Sequence, residues 1–200
     1  SFMHAPKEAF NSTISYLRIC AYGSVFIIAY NMLRICYNKL CYGSRFSVHL
    51  VQRISPGCAL KVYEKGTIRI ERNTEFASGC DFQVHGKGCL SIGEATYFKY
   101  CMISAHQSIR IGGHCMFGPG VKIFDNNHMF SKAEGVSSKL TKGNIVIGNH
   151  CWIASDVIIL KGAHIGDRCV VGAGCVISGE VPADTLVKQS QHLEYVPIYK

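Results

Sequence analysis

The residues best suited to chemistry lie in one polar stretch, Phe124–Gly143, which reads F-D-N-N-H-M-F-S-K-A-E-G-V-S-S-K-L-T-K-G. Asp125, Asn126, Asn127 and His128 follow one another at its start. A neutral imidazole can take up a proton near physiological pH, which is what a hydroxyl must give away as its oxygen attacks a carbonyl. Asp125 or a backbone carbonyl could hold the ring's other nitrogen and so fix the tautomer. Asn126 or Asn127 could donate a hydrogen bond to a substrate or an oxyanion. Asp and Asn also favour turns for local reasons, and taken by itself a histidine in a polar loop is most simply a solvated one. His106 is a second candidate, suited to a structural or substrate-lining role.

Two His-Cys pairs, His114 with Cys115 and His150 with Cys151, look at first like metal ligands. Adjacent residues on a strand face opposite ways, so neither pair can chelate one ion, and no metal site is expected. The eleven cysteines include no C-x-x-C spacing, and no secretory signal precedes them. Five of them, Cys80, Cys115, Cys151, Cys169 and Cys175, read as small buried apolar residues in a reducing compartment, which suits a cytoplasmic protein. The net charge of +8 is compatible with an anionic partner. No basic run is interleaved with aromatics, so nucleic acid is not an expected one.

The polar stretch interrupts a six-residue beat that must position it. Ile147, Ile153, Ile159, Ile165, Val171 and Ile177 recur every sixth residue, each followed by a residue such as Gly148, Ala154, Gly166, Gly172 or Ser178. Two positions before them stand Ile145, Cys151, Val157, Ala163, Cys169 and Cys175, a second inward set. Neither a helix nor a simple strand has this period, so a repeat architecture is the better reading. Earlier sets are Ile70, Phe76, Phe82, then Ile92, Phe98, Ser104, then Ile111, Phe117, Ile123; Ser104 is the one poor fit. If three hexapeptides make one triangular turn, Ile70, Ile92, Ile111, Ile147 and Ile165 stack on one corner. Phe76, Phe98, Phe117, Ile153 and Val171 then stack on the next, around a continuous core. The segments IGGHCMFG, IGNHCWIA and IGDRCVVG share one template in this register.

With 200 residues and 48% hydrophobic content, the chain suits one main domain. The expected organisation is an N-terminal helical segment over 1–53, a β-helix over 54–182 with a loop at 124–143, and a tail over 183–200. Ser1 and Phe2 precede Met3, which is taken as the natural start. Val25, Ile28, Ala29, Met32, Leu33, Cys36 and Leu40 have the spacing of a helix face, predicting an amphipathic helix or helical pair broken near Gly23. The apolar run is too short for a membrane span. Arg18, Arg34, Lys39 and Arg45 flank it and suit docking on an anionic membrane surface, at its cytoplasmic side; packing on the repeat domain or on a neighbouring subunit is the simpler expectation.

The hexapeptide series, with WIASDVIILKGAHIGDRCVVGAGCVISGEVP at Trp152 to Pro182, resembles the left-handed β-helix acyltransferases. Within them it looks like the bacterial sugar and polysaccharide O-acetyltransferases, over about Ile68 to Pro182. The resemblance implies an all-β fold, a left-handed parallel β-helix, assembled as a homotrimer with acetyl-CoA in the groove between prisms. It implies that His128 is the general base acting on a glycan or lipid-linked sugar acceptor; the chemistry of the neighbouring side chains adds Asp125 and Asn127 as expected catalytic partners and Asn126 and His106 as expected acceptor contacts. It also places Trp152 beside the acyl-CoA groove, with Ala154, Ser155, Gly172 and Ala173 letting the pantetheine run close to the backbone, and Lys161 and Lys188 toward the phosphates. The chain departs from the pattern after E-V-P, where it continues D-T-L-V-K in place of a G-x-P-A segment, and at Gly179, where relatives often carry lysine. The expected activity is acetyl-CoA-dependent O-acetyl transfer to a sugar hydroxyl. The alternatives are N-acetyl transfer to a nucleotide-linked amino sugar and a non-catalytic scaffold.

Overall fold

The computed structural model describes the backbone of residues 7–190 and the side chains of residues 25–190. Met3 and the end of the tail, 191–200, lie outside the described residues. The six-residue beat becomes a run of coils, each with three short strands that pair in parallel with the equivalent strands above and below. Three sheets result, of seven, seven and six strands. The architecture is a left-handed parallel β-helix of about six turns preceded by a single helix.

The stacking is a register between coils. On the first face Val48, Ile70, Ile92, Ile111, Ile147, Ile165 and Val181 are aligned. On the second, Ile54, Phe76, Phe98, Phe117, Ile153, Val171 and Val187 are aligned. The groupings match those expected from the sequence, but they run along flat faces; the corners are the bends between strands. Within the prism the rings of Phe76, Phe98 and Phe117 stack at 5.3 and 4.6 Å, filling the core with offset aromatic contacts.

The third face corrects one expectation. Its inward column is Leu60, Phe82, Ile103, Ile123, Ile159 and Ile177, so Ile103 occupies the place expected for Ser104. The bend after Phe98 is one residue shorter than a hexapeptide allows, and Tyr100 takes it in the left-handed region with φ 50°. Ser104 therefore lies between two inward residues, beside Gln83 and Phe124 in the register. The coils also begin earlier than residue 54, with Phe46–Val48, and end later than 182, with Leu186–Val187.

The helix runs unbroken from Lys7 to Tyr42, through Gly23, so there is no helical pair. It packs on the first coil through a face other than the apolar stripe. Val25, Met32, Leu33, Cys36 and Leu40 are exposed, with Leu40 at 86%, while Asn31 and Ile35 are buried against the first coil. The reason lies in the open end of the solenoid, whose first coil has carbonyls with no coil above them to bind. Asn31 Nδ2 donates to the Ile54 carbonyl at 2.8 Å and Arg34 to the Cys58 carbonyl at 2.6 Å. Capping needs donors, so Asn31 and Arg34 turn inward beside Ile35 and the apolar stripe is left outward. Among the described residues no helix is long and apolar enough to cross a membrane.

Candidate functional site

The polar stretch, expected as a loop, is an antiparallel hairpin. Asn126–Ser131 pairs with Gly135–Lys142, with His128 opposite Leu140 and an irregularity between His128 and Phe130. The hairpin leaves the prism at the corner between the third and first faces. His128 is exposed on it, and its Nδ1 lies 3.0 Å from the Ser137 carbonyl oxygen. A carbonyl only accepts, so Nδ1 carries the proton and Nε2 is left with a lone pair. Of the two partners the sequence offered for the ring, the structure supplies the backbone carbonyl.

Asp125 has a different environment. It is fully buried, and its two carboxylate oxygens accept the backbone N–H groups of His106 at 2.8 Å and Gln107 at 2.7 Å. Three more bonds hold the roots of the hairpin to this bend. Lys142 Nζ donates to the His106 carbonyl, Gln107 Nε2 donates to Asn144 Oδ1, and Asn126 Nδ2 reaches Ser104 O at 3.4 Å. Asn127 is exposed on the first hairpin strand, and its carbonyl accepts the Thr141 hydroxyl. The hairpin is thus anchored at both ends on the bend of the preceding coil.

His106 belongs to a column. Its ring stacks on His85 at 4.6 Å and 11°, and His85 stacks on Tyr63 at 4.6 Å and 10°. Burial, and then the neighbouring His85, hold the His106 imidazole below its ordinary range. The His-Cys pairs separate as their register demands. Cys115 and Cys151 are buried, while His114 and His150 take left-handed bends with φ 57° and stack outward at 4.9 Å on another corner.

Comparison with known proteins agrees with this geometry. The family model described as bacterial transferase hexapeptide (six repeats) matches residues 144–179. Residues 144–179 therefore carry the hexapeptide repeat that this model describes. It is 28% identical over 61% of its length to an Escherichia coli protein provisionally assigned to O-acetyl transfer in lipopolysaccharide biosynthesis, and 29% identical over 48% to the galactoside O-acetyltransferase of that organism. The matches take in 67% and 48% of those relatives' own lengths. Acetyltransferase is the enzyme class shared by these relatives. The fold is also that of an N-acyltransferase from Bacillus cereus in complex with dTDP and coenzyme A, with a TM-score of 0.60, 18% identity, and coverage of 74% of this chain and 82% of that one.

The other residues singled out sit elsewhere on the prism. Trp152 is 54% exposed and aligns with Met116 and Val170 on the second face. Ala154, Ser155, Gly172 and Ala173 follow at the corner between the second and third faces. Gly118 there lies so close that an added Cβ would stand 2.8 Å from the Ser155 nitrogen. Lys188 borders an open groove at this corner with Val176, Ile177 and Val187. Lys161 follows Leu160, which pairs with Phe124, and so sits on the hairpin's corner, apart from Lys188. The structure therefore forms two groups, a hairpin group and a small-residue wall, on the two edges of the third face.

Sequence reasoning missed the Ser137 carbonyl, and no side-chain signal could have shown a backbone group. It also missed the partners of His106, although Tyr63, His85 and His106 each directly follow an inward residue, Val62, Val84 or Ala105, at one coil's spacing.

Proposed function

We propose that the protein is an acetyl-CoA-dependent O-acetyltransferase acting on a sugar hydroxyl of a surface polysaccharide or its precursor, with His128 as general base. The observation that carries the reading is the contact of His128 Nδ1 with the Ser137 carbonyl. In the neutral ring it places the lone pair on Nε2, away from the anchored nitrogen, the arrangement a base requires. His128 Nε2 takes the hydroxyl proton as that oxygen bonds to the acetyl carbonyl carbon. The same proton then passes to the departing sulfur, so imidazole is regenerated and no acyl-enzyme is needed.

The small-residue wall supports acetyl-CoA as donor. Trp152 gives an exposed apolar surface, Ala154 and Gly172 are small, half-buried residues at the same corner, and Lys188 offers a cation at the groove. In one prism the hairpin and the wall lie on different corners, and the second face carries an exposed column in which Met116, Trp152 and Leu186 are 58%, 54% and 63% exposed. A homotrimer would cover such a column and bring a second prism against the site. A cytoplasmic setting near the membrane fits acceptors built there.

The test is to supply acetyl-CoA with a panel of surface glycans, follow free CoA, and identify the product by mass spectrometry. O-acetylated sugar should form, and His128→Ala should lose at least about a hundredfold in rate, in the range of general-base contributions. Full activity in that variant would overturn the role of His128, and an N-acetylated product would overturn the acceptor class.

A further inference from the structure

Beneath the hairpin the prism presents a corner unlike its other two. The ion pairs Arg72–Glu94 and Arg168–Asp184 lie at the corner between the first and second faces, and Arg53–Glu75 and Lys61–Asp81 lie along strands of the second and third faces. At the hairpin's corner the exposed charges are Lys65 and Lys87, on successive coils about 4.8 Å apart in the parallel register, and Lys142 at the hairpin root. Among the described residues none of these three forms an ion pair. The guanidinium of Arg45 joins them from the coil end, where it donates to the Glu64 backbone carbonyl, and Glu64 is the one exposed carboxylate in these bends.

The same corner carries the stacked rings of Tyr63, His85 and His106. Stacking fills the ring faces, so the corner presents the Tyr63 hydroxyl and the His106 ring edge beside the lysines, while His85 Nε2 lies 3.3 Å from Gln83 Oε1 within the column. The row ends at the bend that is hydrogen-bonded to both roots of the hairpin through Asp125 and Lys142. A ligand lying along it would reach the element that carries His128 without crossing another face.

We propose that this corner is the acceptor subsite and that the acceptor is a saccharide bearing oxyanions, either sugar carboxylates or phosphates. The lysines supply the charge, and the ring edges supply hydrogen bonds to hydroxyls. This rests on the transferase reading only for the word acceptor, because binding is measurable without turnover.

The experiment is calorimetric titration of the full chain with three probes: oligogalacturonate, a phosphorylated maltooligosaccharide, and the neutral maltooligosaccharide. At low salt at least one anionic probe should bind about tenfold more tightly than the neutral one, the sum of a few exposed ion pairs. The double variant Lys65→Ala, Lys87→Ala should lose that margin, while Lys99→Ala with Lys122→Ala, on other faces, should keep it. Preference for oligogalacturonate identifies a carboxylate acceptor, and preference for the phosphorylated probe identifies a phosphate. Equal binding of all three, binding of none, or an unchanged margin in the Lys65, Lys87 variant overturns the proposal. Binding that depends on these lysines in a protein that transfers no acetyl group would sink the transferase reading and leave the subsite standing.

Discussion

The carboxylate of Asp125 accepts the backbone N–H of His106 at 2.8 Å, and its second oxygen accepts that of Gln107 at 2.7 Å. This fully buried group joins the hairpin's root to the bend of the coil below. Its place beside His128 in the sequence suggested a role on the imidazole, but its lone pairs are directed into the prism. On the proposed function, Asp125 acts as a positioning residue. Asp125→Ala leaves two amides without their acceptor, at about 1–3 kcal/mol for each buried group left unsatisfied. Thermal or urea unfolding should show that loss. The hairpin's misplacement should lower kcat by about tenfold to a hundredfold, with a smaller effect on acetyl-CoA KM, because the wall around Trp152 is untouched. A variant that lost stability but kept kcat would show that the anchor does not position the base.

The repeat was legible because it is written in side chains. Ile, Val and Phe at every sixth position give the two inward columns directly, and the outward His before inward Cys follows from strand alternation. Three features escaped for separable reasons. Ile103 replaced Ser104 because a bend at Tyr100 absorbs one residue fewer, and bend length is a backbone property with weak residue preferences. The helix turned Asn31 and Arg34 inward because the solenoid's end exposes carbonyls, a demand that appears only once the coils exist. Asp125 was found as a residue but not in its role, since its partners are backbone N–H groups nineteen and eighteen positions away.

The His106 ring, held below its ordinary range by burial and by His85, makes stability depend on pH. Glu64 and Asp125 act on it in the opposite direction, and Lys142 in the same one. As pH falls through the ordinary imidazole range near 6.5, the unfolded chain takes up a proton that the folded one resists. The unfolded state then binds more protons, so stability rises with pH across this window and falls on acidification. Urea midpoints between pH 7.5 and 5 should decline, and His106→Gln should flatten part of that decline. An unchanged slope in the variant would remove His106 as the source.

Gly79 bends the chain with φ 78° directly under Tyr100, and a Cβ at this position would stand 2.2 Å from the ring's Cδ1. Gly79→Ala should therefore cost about 1–3 kcal/mol, from the left-handed backbone and the displaced ring together. Gly57→Ala has open space around it and no left-handed requirement, so it should be close to neutral. Paired unfolding curves check both. Equal losses would show that the Tyr100 contact contributes nothing.

Thiol chemistry tests the assignment of the cysteines to packing. Cys36 and Cys41 are exposed on the helix, whereas Cys58, Cys80, Cys101, Cys115, Cys151, Cys169 and Cys175 are buried in the prism. The Cys80 thiol is pushed up to about 11, first by its contact with the Cys101 side chain and then by burial, which keeps it out of the reactive thiolate form. A disulfide reagent added to the native protein should modify Cys36 and Cys41 within minutes and reach the prism cysteines only on the timescale of unfolding, as mass spectrometry of quenched samples would show. In the double variant Cys36→Ser, Cys41→Ser the early labelling of those two positions should disappear while labelling of the buried prism cysteines stays slow. Rapid native-state labelling of Cys115 or Cys151 would contradict the packing role, because a reagent can reach those sulfurs only if the coils separate.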